Sequence, residues 1–241
     1  MTDMPERHYH IIFNPNAGTA LASGLTTAKL SALLEKAGLS FDIDDEEVSP
    51  ISERTARALT GPADVVVAAG GDGTVLSVAE GLVGSDKVLG LLPLGTLNGL
   101  VRDLQLPVDL GGAIQALPGL VPRAIDMAEV NGRPFLHNVI IGLVPSIAVG
   151  REQIRGKGWG EKLGFVPFMM RRFSRAKRMA LLLQADAAPA RIERLQTLVV
   201  ANNSYDQRFG KFMSRRRLDR GALTVYLIRS LRLPDAVRLA V

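Results

Sequence analysis

The 241-residue chain contains no cysteine, which excludes a disulfide framework, a thiolate metal site and any zinc finger, and is compatible with the cytosol. Histidine is nearly as scarce. His8, His10 and His137 lie on expected strands without the spacing of metal ligands, so each reads as a surface or packed side chain and none as a catalytic base. Aromatic residues make up only 5% of the chain, with a single tryptophan, and no base-stacking signature is visible, so nucleic acid is not an expected partner. No apolar run reaches the roughly 20 residues needed to cross a bilayer, and residues 1–10 lack the apolar core of a signal peptide. The expectation is a cytoplasmic protein, at most peripheral to a membrane. Hydrophobic residues, at 47% against 22% charged, are enough for a substantial core.

The net charge of +5 conceals a division. Residues 1–125 hold 8 Lys and Arg against 15 Asp and Glu, a net of −7; residues 126–241 hold 21 against 9, a net of +12. A basic second half points to an anionic contact, a membrane surface or nucleic acid, of which nucleic acid is the weaker choice.

Along the first half, strands alternate with helices. His8–Phe13 reads as a strand, Leu25–Ala37 as a helix ending before Gly38, Phe41–Ile43 as a short strand and Ser52–Leu59 as a short helix. Val65–Ala69 and Val88–Leu92 read as strands, followed by helices over Val75–Leu82 and Leu97–Leu104, the last stopped before Pro107. This order implies a parallel sheet between helical layers, with ligands beyond the carboxyl ends of the strands. From about Ile125 the pattern changes to short runs resembling antiparallel strands: Ala124–Val130, Phe135–Ile141, Met179–Ala185, Leu195–Ala201 and Leu223–Ile228. Asn131-Gly132 is a two-residue hairpin signal between the first two. The expected division is therefore an α/β domain over 1–124 and a β-rich domain over 125–241. Between the early and late strands of the second lies Arg151–Arg178, with 9 basic and 2 acidic residues around Phe165–Met170 and Trp159. It reads as a helix with one buried and one solvated basic face, or as a membrane contact.

Gly70-Gly71-Asp72-Gly73-Thr74 falls between the apolar strand Val65–Ala69 and a helix, where glycines free the backbone for positive φ and for close approach of N–H groups to a ligand. The helix adds its positive amino end. A polyphosphate fits such a place, and a carboxylate there has a role if it binds a metal ion or takes a proton; the alternative is an ordinary Gly-Asp-Gly turn. Two other loops, Asn14–Gly18 and Gly95–Asn98, also follow strands and converge on the same edge. Elsewhere, Asp44-Asp45-Glu46-Glu47 reads as a solvated loop, and Arg215-Arg216-Arg217 as a lipid-phosphate contact or a solubilising cluster.

Taken together, Phe13–Gly18, Gly70–Thr74, Leu92–Asn98 with Val101–Leu104, Ile125-Asp126, Val130–Gly132, Phe135–Leu143, Ala201–Tyr205 and Leu218–Leu223 resemble the diacylglycerol kinase catalytic family. That family includes bacterial lipid kinases and sphingosine kinases, with NAD kinases more distant. The resemblance implies an ATP-binding α/β domain, a β-sandwich-like domain, a cleft between them, and transfer of the γ-phosphoryl group of ATP, with Mg²⁺, to the hydroxyl of diacylglycerol or a related lipid alcohol. It implies nucleotide contacts from Asn14, Pro15, Gly18, Gly70, Gly71, Gly73, Thr74, Gly95, Thr96 and Asn98. Asp72 would be the catalytic group, as base or metal ligand, and Asp219 a second, structural metal ligand. The assembly is compatible with a homodimer.

The chain departs from the family pattern at Leu76 and Ser77, where Asn and Glu are usual, and at Gly99, where Asp is common. Relatives also run about 60 residues further, to an acidic motif that supplies a catalytic carboxylate. Ending at Leu239-Ala240-Val241, this chain is expected to hold an incomplete second domain. The competing readings are a weakly active or inactive nucleotide- and membrane-binding relative, and an NAD kinase-like phosphotransferase.

Overall fold

The computed structural model describes residues 7–142, 177–206 and 214–230. These form two compact units: residues 7–136 with Ser214–Asp219, and residues 137–142, 177–206 and 220–230. The segment Arg151–Arg178, apart from its last two residues, lies outside the described residues.

The first unit is built on β1 (His8–Phe13), β2 (Ser40–Asp44), β3 (Val65–Gly70) and β4 (Val88–Pro93), all parallel and ordered β2-β1-β3-β4. Side chains alternate across a strand, and here both faces are apolar because both are covered. Tyr9, Ile11, Phe13, Val65, Val67, Ala69 and Leu92 share one core with residues of α1 (Gly18–Ser23), α2 (Thr27–Lys36) and α6 (Leu110–Ala116). Ile12, Val66, Ala68 and Leu91 share the other with α3 (Ile51–Thr60), α4 (Asp72–Leu82) and α5 (Gly99–Asp103). The expected three-layer α/β architecture is thus the one observed.

Several elements differ from their sequence reading. The helix expected over 25–37 is α2, and a short additional helix, α1, precedes it. Gly24, at φ 59°, ends α1, with Leu25 N–H bonded back to Ala20 O at 3.0 Å, and the Thr26 side chain then caps α2. The helix expected over 97–104 is the single turn α5, because Asn98 sits in the left-handed region and belongs to the preceding loop. The strand expected over 135–141 is split into β6 (Arg133–Phe135) and β7 (Asn138–Gly142), since Leu136 gives its carbonyl to Arg215 rather than to a ladder.

β6 pairs with β5 (Ala128–Val130) across Asn131-Gly132, both at positive φ (50° and 74°), the backbone that a two-residue hairpin of this sequence requires. The second unit is antiparallel, as expected: β7 and β11 (Leu223–Ile228) flank β10 (Thr197–Asn202), and β8 (Met179–Leu183) pairs with β9 (Arg191–Leu195).

Candidate functional site

In a parallel sheet ordered β2-β1-β3-β4, the chain leaves β1 and β3 in opposite directions, and the crevice between their carboxyl ends is where ligands of such sheets bind. Asn14 follows β1 and Thr74 lies in the first turn of α4 after β3; the Asn14 Nδ2 donates to Thr74 Oγ1 at 2.9 Å, closing the floor of that crevice. Asn14 is itself held by its N–H on Ala69 O (2.9 Å) and by its Oδ1, which accepts Asn16 N–H (3.0 Å). A cavity of about 460 Å³ opens here, lined by Asn14, Ala17, Ile51, Gly71, Gly73, Thr74 and Ser77, so its walls carry no formal charge.

The glycines serve close packing. None of Gly70, Gly71, Gly73 and Gly95 has positive φ, so the expected left-handed turn is not how this loop is made. Instead two backbones touch: a Cβ on Gly95 would lie 2.6 Å from Gly71 Cα, and one on Gly70 would lie 2.5 Å from Thr74 Oγ1. Gly73 has nothing within 4 Å of where its Cβ would be, and it is exposed.

The Gly95–Asn98 loop is locked by its own side chains. Asn98 Oδ1 accepts Gly95 N–H at 2.9 Å, its Nδ2 donates to Gly95 O at 3.0 Å, and Thr19 Oγ1 donates to the same carbonyl at 2.9 Å. Thr96 is exposed, and Pro15 and Gly18 stand in the first loop and at the start of α1. Asn14, Gly71, Gly73 and Thr74 therefore meet at the cavity, while Gly70, Gly95 and Asn98 shape its backbone.

Asp72 is half-buried at the first position of α4, where the helix has no side-chain cap and Val75 N–H is the first to bond back, to Gly71 O at 3.0 Å. The preceding N–H groups have no intrahelical acceptor, so this end attracts negative charge. Gly99 N–H donates to Asp72 Oδ1 at 2.7 Å; the other carboxylate oxygen takes no hydrogen bond from the described residues. In the sequence Gly99 stands out only as a missing side chain, whereas in the structure its backbone N–H orients Asp72.

Asp219 is exposed and paired with Arg217, Nε to Oδ1 at 2.8 Å, and that guanidinium holds its carboxyl below the usual carboxylate value. Among the described residues no three His, Asp or Glu side chains gather into a metal-binding group. Among them, Asp72 is the one carboxylate beside the cavity, so a Mg²⁺ ion would fit these residues only if a bound molecule supplied most of its oxygen ligands.

Two clusters carry more structure than their sequence reading implies, although Asp45, Glu46 and Glu47 are exposed as a solvated loop should be. The run 44–47 is tethered: Asp44 accepts from Arg54 Nε (2.9 Å) and Arg57 Nη2 (3.2 Å), Glu46 also takes Arg57 Nη2 (2.5 Å), and Glu47 Oε2 accepts Asn16 Nδ2 (3.1 Å). Arg54 is buried and also donates to Phe13 O at 2.9 Å, so this cluster fixes the end of β1 beside the cavity. In the basic run 215–217, Arg215 is 1% exposed and locked on buried Asp103, out of reach of any lipid phosphate.

A family model described as the diacylglycerol kinase catalytic domain matches residues 8–130, just over half of the chain and all of the parallel sheet. The chain belongs to that family. Relatives include the diacylglycerol kinase of Staphylococcus saprophyticus, 35% identical over 130 residues that make up 53% of this chain and 42% of that one. The Staphylococcus aureus diacylglycerol kinase is 32% identical over 130 residues, 41% of its length. The chain thus spans about two fifths of the curated relatives it matches. Its fold is that of a diacylglycerol kinase crystal structure from Bacillus anthracis, with a TM-score of 0.64 over 93% of this chain and 74% of that one, at 21% identity. Among the described residues no helix is long and apolar enough to cross a membrane.

Proposed function

We propose that this diacylglycerol kinase family member binds the triphosphate of ATP in the cavity at the β1/β3 crevice and transfers the γ-phosphoryl group to the hydroxyl of diacylglycerol or a related lipid alcohol. The observation that carries the reading is the meeting of Asn14, Gly71, Gly73 and Thr74 around an uncharged cavity at the amino end of α4, with Asp72 beside it. Free N–H groups and the Thr74 hydroxyl can hold phosphate oxygens there, and Gly73 lets the nucleotide approach the backbone. Phosphoryl transfer asks chiefly for in-line positioning and for neutralisation of the phosphate oxygens. Because no cationic side chain lines the cavity, Mg²⁺ held by Asp72 and the phosphates would supply the missing positive charge. Asp72 has one oxygen fixed by the Gly99 N–H, which would leave the other for the metal or for the proton of the lipid hydroxyl. The net charge of +12 over 126–241 supports attachment to an anionic leaflet, where the lipid resides.

The test is transfer of labelled phosphate from ATP to vesicles of diacylglycerol and anionic phospholipid. Transfer is expected to require Mg²⁺ and to fall by about 10²- to 10⁴-fold in Asp72→Asn, with ATP still bound. Vesicle attachment should weaken as salt is raised. Equal transfer by Asp72→Asn would remove the assignment of Asp72, and ATP binding without transfer to any lipid would replace the kinase with an inactive nucleotide-binding relative.

A further inference from the structure

Arg215 and Asp103 lie 112 residues apart and form a fully buried ion pair. Arg215 Nε and Nη2 both donate to Asp103 Oδ2, at 2.9 and 2.6 Å, and the Arg215 backbone N–H donates to Asp103 Oδ1 at 2.9 Å. Its Nη1 donates to Leu136 O at 2.6 Å. Desolvating two charges is costly, and such pairs rarely add stability over a well-packed apolar pair. What this one does supply is direction, since the planar fork of an arginine fixes the carboxylate it binds.

Asp103 is the last residue of α5, a helix of five residues, which is too short to hold its own shape. Its geometry is set by what grips it: Leu100 and Val101 in the core, the Arg215 fork at one end, and at the other end the Gly99 N–H on Asp72 Oδ1. One helical turn therefore joins a clamped carboxylate to the donor that orients Asp72. We infer that Arg215 and Asp103 are positioning residues for Asp72, acting through α5 and the Gly99 N–H. The segment Ser214–Asp219 returns to the first unit late in the chain, so the aim of the proposed catalytic carboxylate depends on a stretch outside the 8–130 family match.

This inference rests on the role of Asp72 proposed above, and its test separates the two. The full chain is labelled with ¹⁵N-glycine, and the Gly99 amide is assigned by its loss in Gly99→Ala. It is then followed in Asp72→Asn, in Arg215→Lys, and in the double variant Asp103→Leu with Arg215→Met. The double variant replaces the pair by apolar groups and so leaves no unpaired buried charge. In both clamp variants the Gly99 amide proton should move toward its position in Asp72→Asn and exchange with solvent about tenfold faster. Phosphate transfer should fall about 10- to 100-fold in kcat with the KM for ATP within about twofold, the pattern of misplacement rather than lost binding. A folded double variant whose Gly99 amide stays at its wild-type position overturns the inference, as does a moved amide with unchanged kcat. If the wild-type chain transfers phosphate to no lipid, the proposed function falls, and the amide resonance alone then decides whether the clamp orients Asp72.

Discussion

Gly73 is the one glycine of its loop whose missing side chain the fold leaves unused. Gly70 and Gly95 are required by packing, with a Cβ at 2.5 Å from the Thr74 side chain and at 2.6 Å from Gly71 Cα respectively, but an added methyl at Gly73 meets open space. Within a helix, Gly→Ala is favourable by up to about 1 kcal/mol. Gly73→Ala should therefore raise the denaturant midpoint slightly, and, if phosphate approaches this backbone as proposed, weaken ATP binding at the same time. Gly95→Ala should instead lose about 1 to 3 kcal/mol of stability, because two backbones must separate. Chemical denaturation and calorimetric titration of both variants measure the contrast. A Gly73→Ala protein that binds ATP as tightly as the wild type would argue against phosphate at this position.

At the scale of elements, the site rests on β1 being fixed at its carboxyl end, and α3 does this through Arg54 and Arg57, which grip Asp44 at the end of β2. Burial alone would push the Asp44 carboxyl up, but the Glu46 N–H and the two guanidinium groups outweigh it and hold the carboxyl below its ordinary value of 3.8. A carboxyl depressed in the folded state contributes stability in full above its unfolded value and loses it as pH falls through the lower folded one. The urea midpoint is expected to drop from about pH 4 downward. Asp44→Asn should flatten that drop and cost about 3 kcal/mol at pH 7, because buried Arg54 loses its charge partner. The elements that frame the site were largely legible in the sequence: Val65–Ala69 is apolar throughout because both faces are covered, and three polar loops follow three strands. Two helices were not. In α1 only Ala20 is buried, so no periodicity marks it, and two glycines in α6 mask its pattern. The pairing of Arg215 was also invisible, because its partner stands 112 residues earlier and a run of three arginines has the composition of a solvated surface. The Gly99 bond to Asp72 escaped because a backbone donor leaves no trace in residue type.

At the scale of the molecule, the first unit has a discontinuous sequence. Residues 7–136 lack two of its interior groups, Arg215 and Leu218, which arrive on Ser214–Asp219. Leu218 joins the core that Val75, Val78 and Leu100 form, and its carbonyl accepts the Asp126 N–H. A fragment ending at 136 would leave Asp103 buried without its cation and open a gap the size of a leucine side chain. Each defect costs several kcal/mol, comparable to the whole stability of a small domain. Expressed alone, residues 1–136 should melt well below the full chain in a calorimetric scan; an equal melting temperature would show that the returning segment is dispensable. Excising the first unit for assay or inhibitor screening therefore calls for a graft, in which a short linker carries 214–219 back to Asp103 and the Leu218 core.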